Sequence, residues 1–193
     1  MDHRDHVRLI EGGVHGAGPI WADLGSGGGA FTLALADLLG ESGVIHSVDR
    51  DAQALGTQAR ALGDRFPAAT LRQYQADFSR PLSLPTLDGV VMANALHFVR
   101  NKAAVLTLVR GYLRPGGRFV LVEYDADAGN PWVPYPISLR SWLDLAGEVG
   151  FGGTHEIARV PSHFLGSIYA ALSTAGPRTL ADFGGDRDAI LGP

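Results

Sequence analysis

The stretch that most constrains this chain is Trp21-Ala22-Asp23-Leu24-Gly25-Ser26-Gly27-Gly28-Gly29-Ala30-Phe31-Thr32-Leu33. Residues 19–24 form a short apolar run ending on an acidic residue. Four glycines fall within the next five positions, and apolar residues then resume at helical spacing through Leu38 and Leu39. A strand that passes through a glycine loop into a helix is a ligand-binding device. Glycine allows a tight turn and a close approach to the backbone, and the helix start offers unpaired N–H groups and the positive end of a dipole. A glycine turn without a ligand is a poor account, because three consecutive glycines at a helix start cost helix stability and nothing local requires them. The acidic residue narrows the ligand: a carboxylate at Asp23 repels a pyrophosphate but accepts hydrogen bonds from an ammonium or hydroxyl group.

The pattern D-x-G-x-G-x-G from Asp23 to Gly29 resembles motif I of the class I S-adenosylmethionine (SAM) methyltransferases. The looser G-x-G-x-x-A at Gly25, Gly27 and Ala30 also fits a dinucleotide-binding fold, so the rest of the chain has to decide. Residues 44–49 read as a second strand ending on Asp49, about 20 residues beyond the glycine loop, where nucleotide-binding folds place a ribose-binding carboxylate. Its two oxygens match two ribose hydroxyls. The competing role, capping the helix over 52–62, is one Asp51 is free to take. Arg50 has an apolar stem long enough to cover an adenosine.

Three further segments resemble later motifs of the same family. Residues 71–76 alternate as a third strand ending in Ala76-Asp77-Phe78, similar to motif III, which implies an acidic acceptor for the adenine amino group beside an aromatic ring. Residues 79–86 hold Pro81 and Pro85 and are too broken for a crossover helix. The near-continuous apolar run over 87–99 suits a strand buried on both faces and resembles motif IV. There the family places Asn94, with Ala95 beside it, near the methionine portion of SAM. His97 follows in the loop; an imidazole titrates near neutrality, which makes it a general-base candidate, with a packed or surface histidine as the alternative. Leu113-Arg114-Pro115-Gly116-Gly117-Arg118 predicts a turn between a helix over 102–113 and a fifth strand over 119–124, a recurrent feature of these enzymes. Glu123, near the end of that strand, is the second acid/base candidate, or else a structural carboxylate.

The Pro- and Gly-rich loop over 127–136 lies where the family builds its substrate pocket. Tyr124, Trp132 and Tyr135 are substrate-wall candidates there, although the two loop aromatics equally suit a core plug. Residues 137–149 predict an amphipathic helix with Ser138 as its cap. Residues 150–161 and 165–173 predict two strands resembling the family's antiparallel terminal pair.

Composition bounds the rest. With 193 residues, 46% hydrophobic and 19% charged, the chain has room for one domain. A net charge of -4 with scattered Lys and Arg gives no footprint for nucleic acid. No cysteine is present, which removes disulfides and Cys-based zinc sites or nucleophiles, and no metal site is expected. The first residues lack the apolar core of a signal peptide, and no uncharged apolar run is long enough to span a membrane, so a soluble cytoplasmic protein is expected.

The expected fold is α/β: a doubly wound, seven-stranded, mostly parallel sheet in the family order 3-2-1-4-5-7-6 with an antiparallel last strand and helices on both faces. Residues 1–18 are expected as an arm or short lid, 19–175 as the methyltransferase domain and 176–193 as a tail. The resemblance implies transfer of a methyl group from SAM, leaving S-adenosylhomocysteine (SAH), to a small-molecule acceptor, without a metal; a homodimer is the candidate assembly. It assigns Asp23, Gly25, Ser26, Gly27 and Gly29 to the methionyl end and the loop, Asp49 and Arg50 to the nucleoside, Ala76, Asp77 and Phe78 to adenine, and His97 or Glu123 to the base. A SAM- or SAH-binding module without turnover and an NAD(P)-dependent oxidoreductase are the alternatives.

Overall fold

Apolar side chains alternate between two opposite cores along the central strands, as period-two geometry requires of a sheet buried on both faces. Val90 and Met92 enter one core and Val91 the other; Phe119 and Leu121 oppose Val120 and Val122 in the same way. The computed structural model describes residues 1–177 and orders them as α1 (His3–Val14), β1 (Ile20–Leu24), α2 (Ala30–Leu39), β2 (Val44–Asp49), α3 (Ala52–Arg65), β3 (Thr70–Gln75), β4 (Leu87–Ala93), α4 (Lys102–Tyr112), β5 (Leu113–Tyr124), α5 (Leu139–Glu148), β6 (Phe151–Ser162) and β7 (Gly166–Ala175). One sheet holds all seven strands in the order β3-β2-β1-β4-β5-β7-β6. The first five strands pair in parallel, and β7 runs antiparallel to both β5 and β6. This is the expected sheet. Most of the expected tail, residues 178–193, lies outside the described residues.

Helices α4 and α5 bury Leu106, Val109, Trp142 and Ala146 on one face, while α1, α2 and α3 bury Leu9, Ile10, Leu35 and Leu62 on the other. Each Leu, Ile or Val side chain among these contributes about 1.5–3 kcal/mol when fully buried. Helix α1 is thus built into the core. Gly13 lets it close on β5, since a Cβ there would stand 2.4 Å from Val120 Cγ2. Arg118 of β5 donates Nη1 to Gly13 O (2.9 Å) and His15 O (2.7 Å), satisfying carbonyls that a helix end leaves unpaired.

The connection over 79–86 is irregular, as its prolines dictate, and is pinned by Leu82 N donating to Tyr112 Oη at 2.9 Å. One boundary differs from expectation. The Leu113–Arg118 segment is a bulge inside β5 and not a turn before it. Leu113 already pairs with Leu87, and the chain loops out before Arg118 re-enters opposite Gly89. Asp88 holds the bulge by accepting from Arg114 Nε (2.7 Å), and its other oxygen accepts from Ile20 N (3.0 Å). No helix among the described residues is long and apolar enough to cross a membrane.

Candidate functional site

The carboxyl ends of β1, β2, β4 and β5 converge on one edge of the sheet, where the strand order reverses between β1 and β4. The glycine loop leaves β1 here. Gly25, Gly27 and Gly29 all have positive φ (78°, 51° and 91°). Gly25 is required twice over, because a Cβ would also stand 2.6 Å from Ala95 Cβ and 3.1 Å from Phe78 Cε1. Gly25 N and Ser26 N both donate to Val48 O (2.8 and 3.1 Å), which ties the loop to β2. Space outside Gly27 and Gly28 is open, so a ligand can lie against the backbone.

Asp49 ends β2 facing this loop. Its Oδ2 accepts from Gly27 N at 2.7 Å and its Oδ1 from Asp51 N at 2.9 Å, which leaves acceptor capacity on both oxygens. Asp51 caps α3 through Gln53 N and Ala54 N, so capping and ligand-facing roles fall to different aspartates. Asp77 accepts from Ser79 N (2.9 Å) and Ser79 Oγ (2.7 Å), and those two bonds hold its carboxyl below the usual carboxylate range.

Three cavities that share lining residues lie at these ends. One of 190 Å³ is lined by Gly25, Asp49, Arg50, Phe78, Asn94, Ala95 and Phe98. One of 280 Å³ continues from it past Arg50, Phe78 and Phe98 to Asp77. A third, of 400 Å³, opens on the other side of Asn94 and is lined by His97, Tyr124, Trp132, Val133 and Phe164. Asn94 is the junction. It adopts φ 51°, which is uncommon for a non-glycine residue, and its buried Oδ1 has no partner among the described residues.

His97 sits in a one-turn 3-10 segment, Leu96–Phe98, directly after β4, and Glu123 near the end of neighbouring β5. Their ring and carboxylate meet at 2.8 Å (Nδ1 to Oε2), and His97 N donates to the other oxygen at 3.0 Å. A carboxylate only accepts, so Nδ1 carries the proton and Nε2 is left as the acceptor on the ring that lines the 400 Å³ cavity. Glu123 is fully buried, and burial together with its negative charge raises the Tyr124 hydroxyl above its ordinary value.

Several expected residues stand back from the cleft. Asp23 is 1% exposed beneath the loop and accepts from Thr32 Oγ1 at 2.6 Å; burial, with the nearby Asp49 charge, pushes its carboxyl up to about 7 against that bond. Ser26 spends its hydroxyl on Ser47 (2.7 Å). Ala76 holds β2 through its N–H to Asp49 O (3.0 Å). Trp132 and Tyr135 are 70% and 40% exposed and do not plug the core. Trp132 lines the large cavity, whereas Tyr135 braces the loop through its N–H to His97 O (2.9 Å) and its carbonyl to Lys102 Nζ (2.6 Å).

Sequence reasoning missed two groups. One is the buried chain behind the loop: Ser47 Oγ donates to Gln58 Oε1 (2.7 Å), Gln58 Nε2 to Thr32 Oγ1 (2.7 Å), and Thr32 to Asp23. The directions are forced, so Ser26 donates to Ser47 and every dipole points toward Asp23. The other is Phe98, Val133 and Phe164 in the cavity walls. An aromatic at the tip of the β6–β7 hairpin, Phe164 at 48% exposed, is the kind of signal that would have found one of them.

Comparison with known proteins identifies the family and the fold. A family model described as a methyltransferase domain matches residues 22–119. A reducing polyketide synthase, grgA from a Penicillium species, is 28% identical over 164 residues, covering 73% of this chain and 7% of its own. The ubiquinone/menaquinone biosynthesis C-methyltransferase UbiE of Cellvibrio japonicus is 32% identical over 105 residues, 53% of this chain and 42% of that protein. The chain therefore spans less than half the length of either relative. The structure of 1,6-didemethyltoxoflavin-N1-methyltransferase from Burkholderia thailandensis, with its substrate and SAH bound, superposes with a TM-score of 0.71 at 19% identity, covering 89% of this chain and 79% of that one, which shows a shared fold. With the family model matching more than half of its length, this chain belongs to the methyltransferase-domain family.

Proposed function

We propose that the chain transfers a methyl group from SAM to a small-molecule acceptor that must shed a proton as it reacts. The observation that carries this reading is Asn94, which lines both the groove of Gly25, Asp49, Arg50 and Phe78 and the cavity walled by His97, whose ring is paired with the buried Glu123.

The residues present fit the cofactor. Gly27 and Gly28 leave open space beside the loop backbone, Asp49 has spare acceptor capacity for ribose hydroxyls, and Asp77 with Phe78 lines the far end for adenine. The unpartnered Asn94 Oδ1 suits the amino group of the methionyl end, and the negative charge of Asp23 behind the loop favours that same cation. Arg50 walls the nucleoside from outside. SAM supplies a methyl group already activated on a sulfonium.

The protein's own work is alignment and proton removal. His97 Nε2 takes the acceptor proton from the cavity side. Glu123, fixed to both N–H groups of His97, holds the ring in the required tautomer and balances the imidazolium that results. The name of the UbiE relative, a C-methyltransferase, supports an acceptor whose proton needs such a base. Incubation with methyl-deuterated SAM and a library of small acceptors, read by mass spectrometry, tests the reading. Label transfer that His97→Ala abolishes is the expected result. No transfer across the library by protein that still binds SAH would overturn catalysis in favour of a binding module.

A further inference from the structure

Resting on that reading, the geometry points to the class of acceptor: a neutral molecule with a planar, aromatic or conjugated body, in preference to a carboxylate or an ammonium compound. The walls of the 400 Å³ cavity are aromatic. Tyr124 and Phe164 lie 5.8 Å apart between ring centroids, Trp132 meets Phe164 edge-on at 6.2 Å and 82°, and His97 stands 6.0 Å from Tyr124. Val133, 3% exposed, adds an aliphatic side chain to the lining. Trp132 and Phe164 nevertheless expose 70% and 48% of their surface. Rings left in water beside a cavity gain most from a flat apolar partner that covers their faces.

Charge argues the same way. Among the described residues, no Lys or Arg lines this cavity. Lys102, near the loop, has its ammonium on the carbonyls of Val99 (2.9 Å) and Tyr135 (2.6 Å), and Arg159 is committed to Asp125 and Glu156. An anionic acceptor would therefore enter without a counter-ion and face the buried charge of Glu123 directly behind His97. An ammonium has no free electron pair until it loses a proton, and it would stand beside the sulfonium of the cofactor. A neutral acceptor meets neither penalty. It hands one proton to His97 Nε2, and the electron pair so freed forms the new bond to the methyl carbon. The bond between that carbon and sulfur breaks, and its electrons stay on sulfur as SAH.

Calorimetric titration of three ring compounds that differ in one group tests this, with the protein first saturated with SAH. The probes are para-hydroxyacetophenone (neutral), para-hydroxybenzoate (anionic) and tyramine (cationic). The neutral compound is expected to bind at least about tenfold more tightly than the anionic one beside SAH, and to lead the cationic one by a similar factor when SAM, which carries the sulfonium, replaces SAH. Trp132→Ala is expected to weaken it roughly tenfold. Glu123→Gln is expected to narrow the gap between neutral and anionic probes while SAH affinity stays unchanged, an outcome a merely structural role for Glu123 does not produce. Equal or tighter binding of the carboxylate beside SAH, or of the amine beside SAM, would overturn the assignment, and so would binding of none of the three by SAH-loaded protein. Failure of SAH to bind is seen before any acceptor is added, and it would sink the cofactor reading itself.

Discussion

His97 and Glu123, 26 residues apart, share two hydrogen bonds, ring to carboxylate at 2.8 Å and backbone to carboxylate at 3.0 Å. The register of β4 against β5 brings them together: Ala93 pairs with Val122, and Asn94 N donates to Val122 O at 2.9 Å. His97→Ala is expected to lower single-turnover methyl transfer about 10²–10⁴-fold with SAH affinity near that of the parent. Glu123→Gln, whose amide has one acceptor oxygen for two donors, is expected to lower it by at least about tenfold.

Asp23 makes the site pH-dependent. Burial raises its carboxyl to about 7, so the folded protein holds a proton that the unfolded chain has already released. The stability Asp23 contributes is therefore fully present below the ordinary aspartate pKa and is lost as pH rises through about 7. Cofactor affinity moves the other way, because only the ionised form favours an ammonium group. SAM affinity is expected to rise between about pH 6 and pH 8, and Asp23→Asn to flatten both dependences, as calorimetry and thermal melts at several pH values would show.

Two glycines of the loop should respond differently to substitution. At Gly25 an added Cβ meets both a positive φ and a 2.6 Å approach to Ala95 Cβ, whereas at Gly27 it meets only the positive φ. Gly25→Ala is expected to cost about 2–4 kcal/mol in urea unfolding and to weaken SAH binding, and Gly27→Ala only about 1 kcal/mol of stability.

Gln58 is the centre of the polar chain behind the loop, fully buried between Thr32, Ser47 and Gln73. Gln58→Leu strands several buried polar groups at once. A loss of about 2–4 kcal/mol in urea unfolding is expected.

The central strands, the glycine loop and the place of Asp49 were legible in the sequence because each rests on local chemistry: an apolar run, a turn that only glycine makes, a carboxylate at a strand end. The sheet order came from the family resemblance. His97 and Glu123 were each legible as candidates. Their pairing was not, since it depends on strand register across 26 residues. Gln58 reads in sequence as one more polar residue on an amphipathic helix, and only packing of α3 against α2 turns it inward. Residues 1–18 read as a charged arm because their apolar positions are few. Leu9, Ile10 and Val14 nonetheless fall on one face and are drawn into the core. Phe164 was hidden because a hairpin tip carries no periodic signal, and its partner Trp132 lies 32 residues away.

Titration calorimetry with SAM, SAH and NADH, on the parent protein and on Asp49→Ala, tests the account most directly. SAM and SAH are expected to bind and NADH to give no heat, and the substitution to weaken both binders roughly 10- to 100-fold. Absence of binding by both SAM and SAH, or binding of NADH in their place, would contradict it.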